Sequence, residues 1–191
     1  MITHVAVATV PTRWGEFTCH AYRRPDGIEH LALVLGALDR EPLVRVHSEC
    51  LTGDVFASAR CDCGAQRDLA LELIAAEGAG ALIYLRGQEG RGIGLGEKIR
   101  AYALQELGYD TVDANLALGH PVDARDYADA ADILRHLGAG SIRLLTNNPD
   151  KTAALASTGI AAEQVPIVIA PTAQNAAYLD TKRERMGHVA G

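Results

Sequence analysis

From residue 63 onwards the chain alternates between two apolar patterns, and this alternation restricts the fold more than any other feature. Apolar residues recur at helical spacing over 63–78, and GALIYL at 80–85 has the composition of a buried strand. The same patterns predict helices over 97–108, 124–138, 147–159 and 173–187, and strands over 141–146 and 162–169. Alternating strands and helices favour an α/β fold with a largely parallel sheet.

The first 47 residues predict β structure of a different kind. VAVATV, EFTCHAY and EHLALVLG are short segments rich in alternating or β-branched residues, and RPDGIE supplies a turn between the last two. We therefore expect a mixed sheet with an antiparallel N-terminal portion and helices packed around it. The chain contains no linker, low-complexity segment or long repeat, so residues 1–191 are predicted to form one domain.

Charge and hydropathy narrow the classes of partner. Lys and Arg total 18 against 24 for Asp and Glu, so the net charge of −6 offers no basic field for DNA or RNA. No apolar segment approaches the roughly 18 residues that cross a bilayer, and the N-terminus lacks the pattern of a secretory signal. These features predict a cytoplasmic protein without a nucleic-acid or membrane partner.

Three of the four cysteines, Cys50, Cys61 and Cys63, lie within fourteen residues. In a reducing compartment this clustering points to a metal rather than to disulfides, with metal-free buried thiols as the alternative. Three thiolates can hold a catalytic Zn²⁺ that keeps one position for water, whereas His47 as a fourth ligand would close a structural site. The spacing leaves both kinds of zinc site open. Cys19 lies in an alternating segment and is predicted to be a small core residue.

Three further segments carry polar residues next to predicted strands or helix starts. In RGQEGRGIGLGEK, four glycines follow Glu89, but the segment matches neither the dinucleotide nor the P-loop template, so it suits a flexible connection as well as a phosphate site. GHPVDARDY places Asp123, Arg125 and Asp126 at a helix start, where the acidic residues alone would suit capping. LLTNNPDK follows a strand and could bind an anion or a nucleobase edge, or form an ordinary loop.

Taken together, these motifs resemble those of GTP cyclohydrolase II. The resemblance runs over nearly the whole chain, through RVHSECLTGD, SARCDCG, QEGRGIGL, KIRAYALQ, DTVDAN, DARDY, LLTNNP and YLDTKRERMGH. It implies that family's fold and a zinc-dependent hydrolase that converts GTP to 2,5-diamino-6-(5-phospho-D-ribosylamino)pyrimidin-4(3H)-one, formate and pyrophosphate, the first step of riboflavin biosynthesis. It also implies Mg²⁺ at the triphosphate and a homodimer. Because no comparable length precedes residue 1, we expect no fused dihydroxybutanone phosphate synthase domain.

The resemblance also assigns ligands. Cys50, Cys61 and Cys63 match the zinc ligands and water takes the fourth position, which places His47 in a nucleotide-binding segment. The residues implied to hold GTP are Arg45, Val46, His47, Ser48, Glu49, Gln66, Glu89, Gly90, Arg91, Thr111, Thr146 and Lys151.

Three residues match catalytic positions. Arg125 matches the nucleophile at the α-phosphorus and Asp123 the proton acceptor, although charge stabilisation around phosphate is the more usual work of a guanidinium. Tyr102 matches a tyrosine near C8 of guanine, the carbon that is attacked. Taken alone, a helix tyrosine beside alanine and leucine suits packing equally well.

Two positions depart from the family pattern. Gly87 is an extra residue in the RGQEGR loop, and His120 stands where a phenylalanine is expected. They bear on the product rather than on the family. The alternatives are therefore a variant relative that releases pyrophosphate but retains the formyl group, and a catalytically silent nucleotide-binding zinc module.

Overall fold

The computed structural model describes residues 1–187. His188, which ends the YLDTKRERMGH motif, and the last residues of the predicted 1–191 domain lie outside the described residues. None of the helices within the described part of the chain is long and apolar enough to span a membrane.

Seven strands form one sheet: β1 (Thr3–Thr12), β2 (Gly15–Arg23), β3 (Glu29–Leu35), β4 (Leu43–Ser48), β5 (Gly80–Leu85), β6 (Ser141–Leu145) and β7 (Ala161–Val165). Their order in space is β1-β2-β3-β5-β4-β6-β7. The pairs β1–β2, β2–β3 and β3–β5 are antiparallel. The pairs β5–β4, β4–β6 and β6–β7 are parallel. The predicted α/β fold, with a mixed sheet and an antiparallel N-terminal portion, is confirmed.

The helices are α1 (Leu51–Asp54), α2 (Cys63–Glu77), α3 (Leu95–Glu106), α4 (Thr111–Ala117), α5 (Ala128–His136), α6 (Pro149–Ser157) and α7 (Ala176–Met186). The ends of α2 and α6 follow their sequence signals, because Gly78 closes α2 in the left-handed conformation and the Asn148 side chain caps α6.

The helix predicted over 124–138 is wrong at its start, since α5 begins at Ala128. The carboxylate of Asp123 accepts a hydrogen bond from the backbone N–H of Arg125, and that of Asp126 accepts one from Ala128. These local bonds hold the DARDY segment in turns that compete with helix. The short helices α1 and α4 are not predicted by the sequence patterns.

Apolar side chains cover both faces of the parallel part of the sheet. On one face Val46 and Ile83 pack with residues of α5 and α6, including Leu134 and Leu155. On the other face Leu82 and Leu145 pack against α2. Helices on both faces explain why β5 is a continuous apolar segment rather than an alternating one.

The parallel arrangement brings three predicted site segments to one edge. Strands β4, β5 and β6 run in the same direction, so the residues that follow Ser48, Leu85 and Leu145 meet at their carboxyl ends. Ligands of open α/β sheets bind outside this edge. The direction of these strands therefore determines where the site lies.

Candidate active site

A pocket of about 1010 Å³, part of it open to solvent, lies at this edge of the sheet. Most of the residues predicted from the sequence line it. They are Arg45, His47, Ser48, Glu49, Cys50, Cys61, Cys63, Gln66, Glu89, Gly90, Arg91, Tyr102, Thr111, Arg125, Thr146 and Lys151.

Two predicted residues do not line the pocket. Val46 is fully buried, and its backbone carbonyl accepts a hydrogen bond from Nζ of Lys151 at 2.9 Å. Asp123 is not among the lining residues but binds the guanidinium of Arg125. Each therefore acts on the pocket through a residue that lines it.

The three cysteines meet where α1 and α2 begin. Their sulfur atoms all lie within 4.8 Å of one another, and the Cys50 and Cys61 sulfurs are 3.7 Å apart. Gly53 makes room for them, because a Cβ at that position would lie 2.8 Å from the Cys61 sulfur. Hydrogen bonds from the Cys61 and Cys63 thiols, opposed by burial and aided by Lys98, hold the pKa of Cys50 below its ordinary value. A set of three sulfur donors fits Zn²⁺.

His47 does not join this group. Its Nε2 lies 3.0 Å from Oδ1 of Asp54, and its ring stacks on Tyr84. Within residues 1–187 the group of potential metal ligands comprises the three cysteines alone. The structure therefore favours the three-ligand arrangement over the closed site that sequence spacing left open.

The QEGRGIG segment forms a tight turn with an unusual backbone. Gly90 and Arg91 both have left-handed conformations, with φ of 61° and 64°. An arginine is seldom found there, since its Cβ crowds the backbone. Both terminal nitrogens of Arg91 are buried without a hydrogen-bond partner among the described residues. Such an arrangement is suited to an anionic ligand.

Arg125 and Asp123 form a bidentate ion pair. Nε of Arg125 lies 2.9 Å from Oδ1, and a terminal nitrogen lies 2.5 Å from Oδ2. Burial alone would raise the pKa of Asp123, but the hydrogen bonds and charge of Arg125 outweigh it and lower that pKa. Both groups are therefore charged at neutral pH, with Arg125 at the pocket surface.

Gln66 and Arg45 are held in a buried hydrogen-bonded chain. A terminal nitrogen of Arg45 donates to Oε1 of Gln66 at 2.5 Å, and Nε2 of Gln66 donates to Asp62 at 2.5 Å. Nε of Arg45 is buried without a partner among the described residues. One guanidinium thus secures α2 against the sheet.

The two departures from the family pattern are placed differently. Gly87 has a φ of 75°, and its backbone N–H donates to the carboxylate of Glu49, a predicted GTP contact. His120 instead contacts Glu97 at 3.1 Å and does not line the pocket. The structure therefore gives Gly87 a link to the site and keeps His120 outside the pocket wall.

Several lining residues were missed by sequence reasoning. One signal could have found part of them, because Lys98, Ala101, Tyr102 and Gln105 recur at helical spacing along α3. The others lie in segments already quoted, such as RGQEGRGIGLGEK and LLTNNPDK, but no local pattern distinguishes them from their neighbours there. The missed residues are Gln88, Ile93, Lys98, Ala101, Gln105, Asn115, Asn147, Asn148 and Tyr178.

Fold and site together define a class of protein. It is an α/β protein whose sheet edge combines three clustered cysteine sulfurs with arginine and lysine side chains in one pocket. The sulfurs suit a metal ion, and the basic groups suit a phosphorylated ligand.

Comparison with known proteins identifies the family. A family model described as GTP cyclohydrolase II matches residues 3–166. The riboflavin biosynthesis protein RibBA of Salinispora tropica is 56% identical over 191 residues, which cover 98% of this chain and 48% of that protein. RibBA of Chlamydia trachomatis serovar D is 53% identical over 192 residues, which cover 98% of this chain and 45% of that protein. The chain belongs to the GTP cyclohydrolase II family, and it spans about half the length of these two relatives.

Among solved structures, RibBX, a two-domain 3,4-dihydroxy-2-butanone 4-phosphate synthase from A. baumannii, aligns with 86% of this chain and 40% of its own. Its TM-score is 0.48 and its identity 21%, which is too distant a likeness to define either fold or activity.

Proposed function

We propose that this chain catalyses the GTP cyclohydrolase II reaction, in which GTP and water yield 2,5-diamino-6-(5-phospho-D-ribosylamino)pyrimidin-4(3H)-one, formate and pyrophosphate. One observation carries the proposal: the cysteine cluster and nearly all the expected guanine-nucleotide contacts line the same pocket. Membership of the family and the names of its relatives support it further.

The proposed cofactor is one Zn²⁺ per chain, held by Cys50, Cys61 and Cys63. Their sulfur atoms lie close enough to share one ion, and Gly53 leaves them the space. When bound, zinc supplies Lewis-acid chemistry that makes water nucleophilic near neutral pH. Mg²⁺ prefers oxygen ligands, so it would enter with the triphosphate rather than at the sulfurs.

The other pocket residues would bind and orient the nucleotide. The guanidinium of Arg91, whose terminal nitrogens have no hydrogen-bond partner among the described residues, and the ammonium of Lys151 would face phosphate oxygens. Tyr102 would donate a hydrogen bond from its hydroxyl, because burial raises the pKa of this phenol and keeps it protonated. Arg125, held by Asp123, would meet the α-phosphate, either as nucleophile or as a fixed positive charge.

Product analysis tests the proposal directly. Zinc-loaded protein is incubated with GTP and Mg²⁺, the pyrimidine is identified by mass spectrometry, and formate and pyrophosphate are assayed from the same tube. Equal amounts of formate and pyrophosphate with the deformylated pyrimidine are expected. Pyrophosphate without formate would indicate the variant that retains the formyl group, and a folded protein without turnover would indicate a silent nucleotide-binding module.

A pair of cysteine variants supplies the control. Cys61→Ser removes one sulfur of the cluster, whereas Cys19→Ser removes a free, half-buried thiol in β2 outside the pocket. We expect Cys61→Ser to lose bound zinc and ring opening while its circular dichroism is retained. Cys19→Ser should keep both the bound zinc and the ring-opening activity. Unfolding of Cys61→Ser alone would show a structural zinc site instead.

Three broader predictions stay predictions. The free thiols in the described residues are consistent with the reducing cytoplasm. The homodimer is carried over from the resemblance, and light scattering at several concentrations tests it, since a monomer throughout would contradict it. The single domain over 1–191 is tested by limited proteolysis, which should leave the chain intact.

A further inference from the structure

Lys98 is a buried lysine that has no part in the proposed reaction steps. It lies in the first turn of α3 and is only 7% exposed. Burying an ammonium group is costly unless the charge is paired and its hydrogen bonds are made. The environment of Lys98 therefore needs an explanation.

Three acceptors surround its ammonium group. Nζ lies 2.6 Å from Oε1 of Glu89, 2.9 Å from Oγ1 of Thr52 and 3.1 Å from the sulfur of Cys50. An ammonium has three N–H donors, so each donor has one acceptor. The Glu89 carboxylate, 2.6 Å away, supplies the opposite charge that a buried ammonium needs.

A simple ion pair does not explain the whole arrangement. Pairing with Glu89 would account for the carboxylate contact, yet the same ammonium also reaches a sulfur of the metal-type cluster. Three thiolates with one Zn²⁺ would carry a net charge of −1, and Glu89 adds another negative charge nearby. A single buried cation between them offsets part of this charge.

We propose that Lys98 is a positioning residue for the zinc site. Its ammonium group donates a charge-assisted hydrogen bond to the Cys50 thiolate and fixes Glu89 beside it. The inference rests on the zinc site of the proposed function. Hydrogen bonds to ligand atoms from outside the ligand set tune a metal and its affinity. Glu89 is secured at its other oxygen by the backbone N–H of Leu51, 2.6 Å away, so Lys98 links a metal ligand to a predicted nucleotide contact.

Cobalt spectroscopy distinguishes this role from ordinary packing. Co²⁺ substituted for zinc gives a sulfur-to-metal charge-transfer band, whose energy rises when a hydrogen bond stabilises the sulfur electrons. We expect Lys98→Met to shift this band to lower energy and to weaken zinc binding about 10–100-fold in chelator competition. Lys98→Gln keeps a neutral donor, and a smaller shift in the same direction is expected.

Arg100→Gln is the matched control. It removes one positive charge from the same helix, but Arg100 is 68% exposed and pairs with Glu97, away from the sulfurs. Its band energy and zinc affinity should equal those of the wild-type chain. This comparison separates the local contact from a general loss of positive charge.

The outcomes are separable from those of the proposed function. A wild-type band energy and zinc affinity in Lys98→Met would overturn the inference and leave Lys98 as a structural ion pair. If that variant does not fold, Lys98→Gln decides by the same two measurements. A wild-type chain that binds neither Co²⁺ nor Zn²⁺ through its cysteines would overturn the zinc site and this inference together.

Discussion

Nε2 of His47 lies 3.0 Å from Oδ1 of Asp54, and the two side chains are 2% and 3% exposed. Burial lowers the pKa of His47 although the hydrogen bond to Asp54 acts to raise it, so the imidazole is neutral at pH 7 and Nε2–H donates to the carboxylate. Nδ1 is then an acceptor, and it has no partner among residues 1–187. Hydrogen bonding to Asp54 therefore leaves Nδ1 of the pocket-lining His47 as a defined acceptor.

Asp54 also accepts hydrogen bonds from the Tyr84 hydroxyl at 2.7 Å and from the backbone N–H of Cys50 at 3.0 Å. Asp54→Asn leaves a single oxygen for three donors, so at least one buried donor loses its acceptor. We expect a loss of about 1–3 kcal/mol in the free energy of unfolding, measured by urea titration. Tyr84→Phe removes only one donor and is expected to cost about 0.5–1.5 kcal/mol. A smaller loss in Asp54→Asn than in Tyr84→Phe contradicts this account of Asp54.

Gly53 is required by the sulfur cluster. Its Cβ position lies 2.8 Å from the Cys61 sulfur and 3.2 Å from the Cys50 sulfur, so Gly53→Ala must displace one of them. We expect zinc affinity to fall about tenfold or more, measured by chelator competition. Gly96→Ala in α3 is the control, because nothing lies within 4 Å of its Cβ position and its zinc affinity should not change. Unchanged zinc binding in Gly53→Ala would mean that the sulfurs rearrange freely.

The geometry of Arg125 matters as well as its charge. Asp123 orients the guanidinium through two parallel hydrogen bonds, which a lysine ammonium cannot reproduce. Arg125→Lys and Arg125→Ala should therefore both lower the rate of pyrophosphate release about 10²–10³-fold. Arg135 forms an exposed ion pair with Asp132 on α5, and Arg135→Lys should retain the wild-type rate.

The Arg125 variants separate shape from charge. Full activity in Arg125→Lys would show that charge alone suffices. A guanylyl adduct on Arg125 in single-turnover mass spectra would identify the nucleophile, and its persistent absence would leave charge stabilisation as the role.

A histidine group at the antiparallel end predicts how stability depends on pH. Nδ1 of His20 lies 3.4 Å from Nε2 of His4, and Tyr22 and His136 complete the group. Burial, followed by repulsion from His4 and His136, lowers the pKa of His20 in the folded chain. The unfolded chain then binds more protons just below about pH 6.5, so this contribution to stability is present above that pH and is lost on acidification.

The measurement is the free energy of unfolding at pH 7.5 and 5.5, from urea titrations of the wild-type chain and of His20→Asn. The variant lacks the titrating ring, so its stability should fall less between the two pH values. An equal fall in both proteins would assign the pH dependence to other groups.

Local chemistry alone predicted a large part of this protein. The apolar periods over 63–78 and 80–85 locate α2 and β5, because burial of one helix face and of a short strand leaves its own spacing. Asn148 caps the start of α6 and Gly78 closes the end of α2, both through contacts within a few residues. The three cysteines likewise lie within fourteen residues of sequence, so the sequence alone predicts a metal-type cluster.

Tertiary structure decided what depends on contacts between distant residues. The placement of β3 against β5, the rotation of His47 towards Asp54 and the insertion of Lys98 between Cys50 and Glu89 have no local signal. Periodicity reports which side of an element is buried, but not which partner meets it. Those partners are selected by the whole sheet, since the direction of β4, β5 and β6 brings the following loops to one edge, where burial and charge pairing fix each side chain.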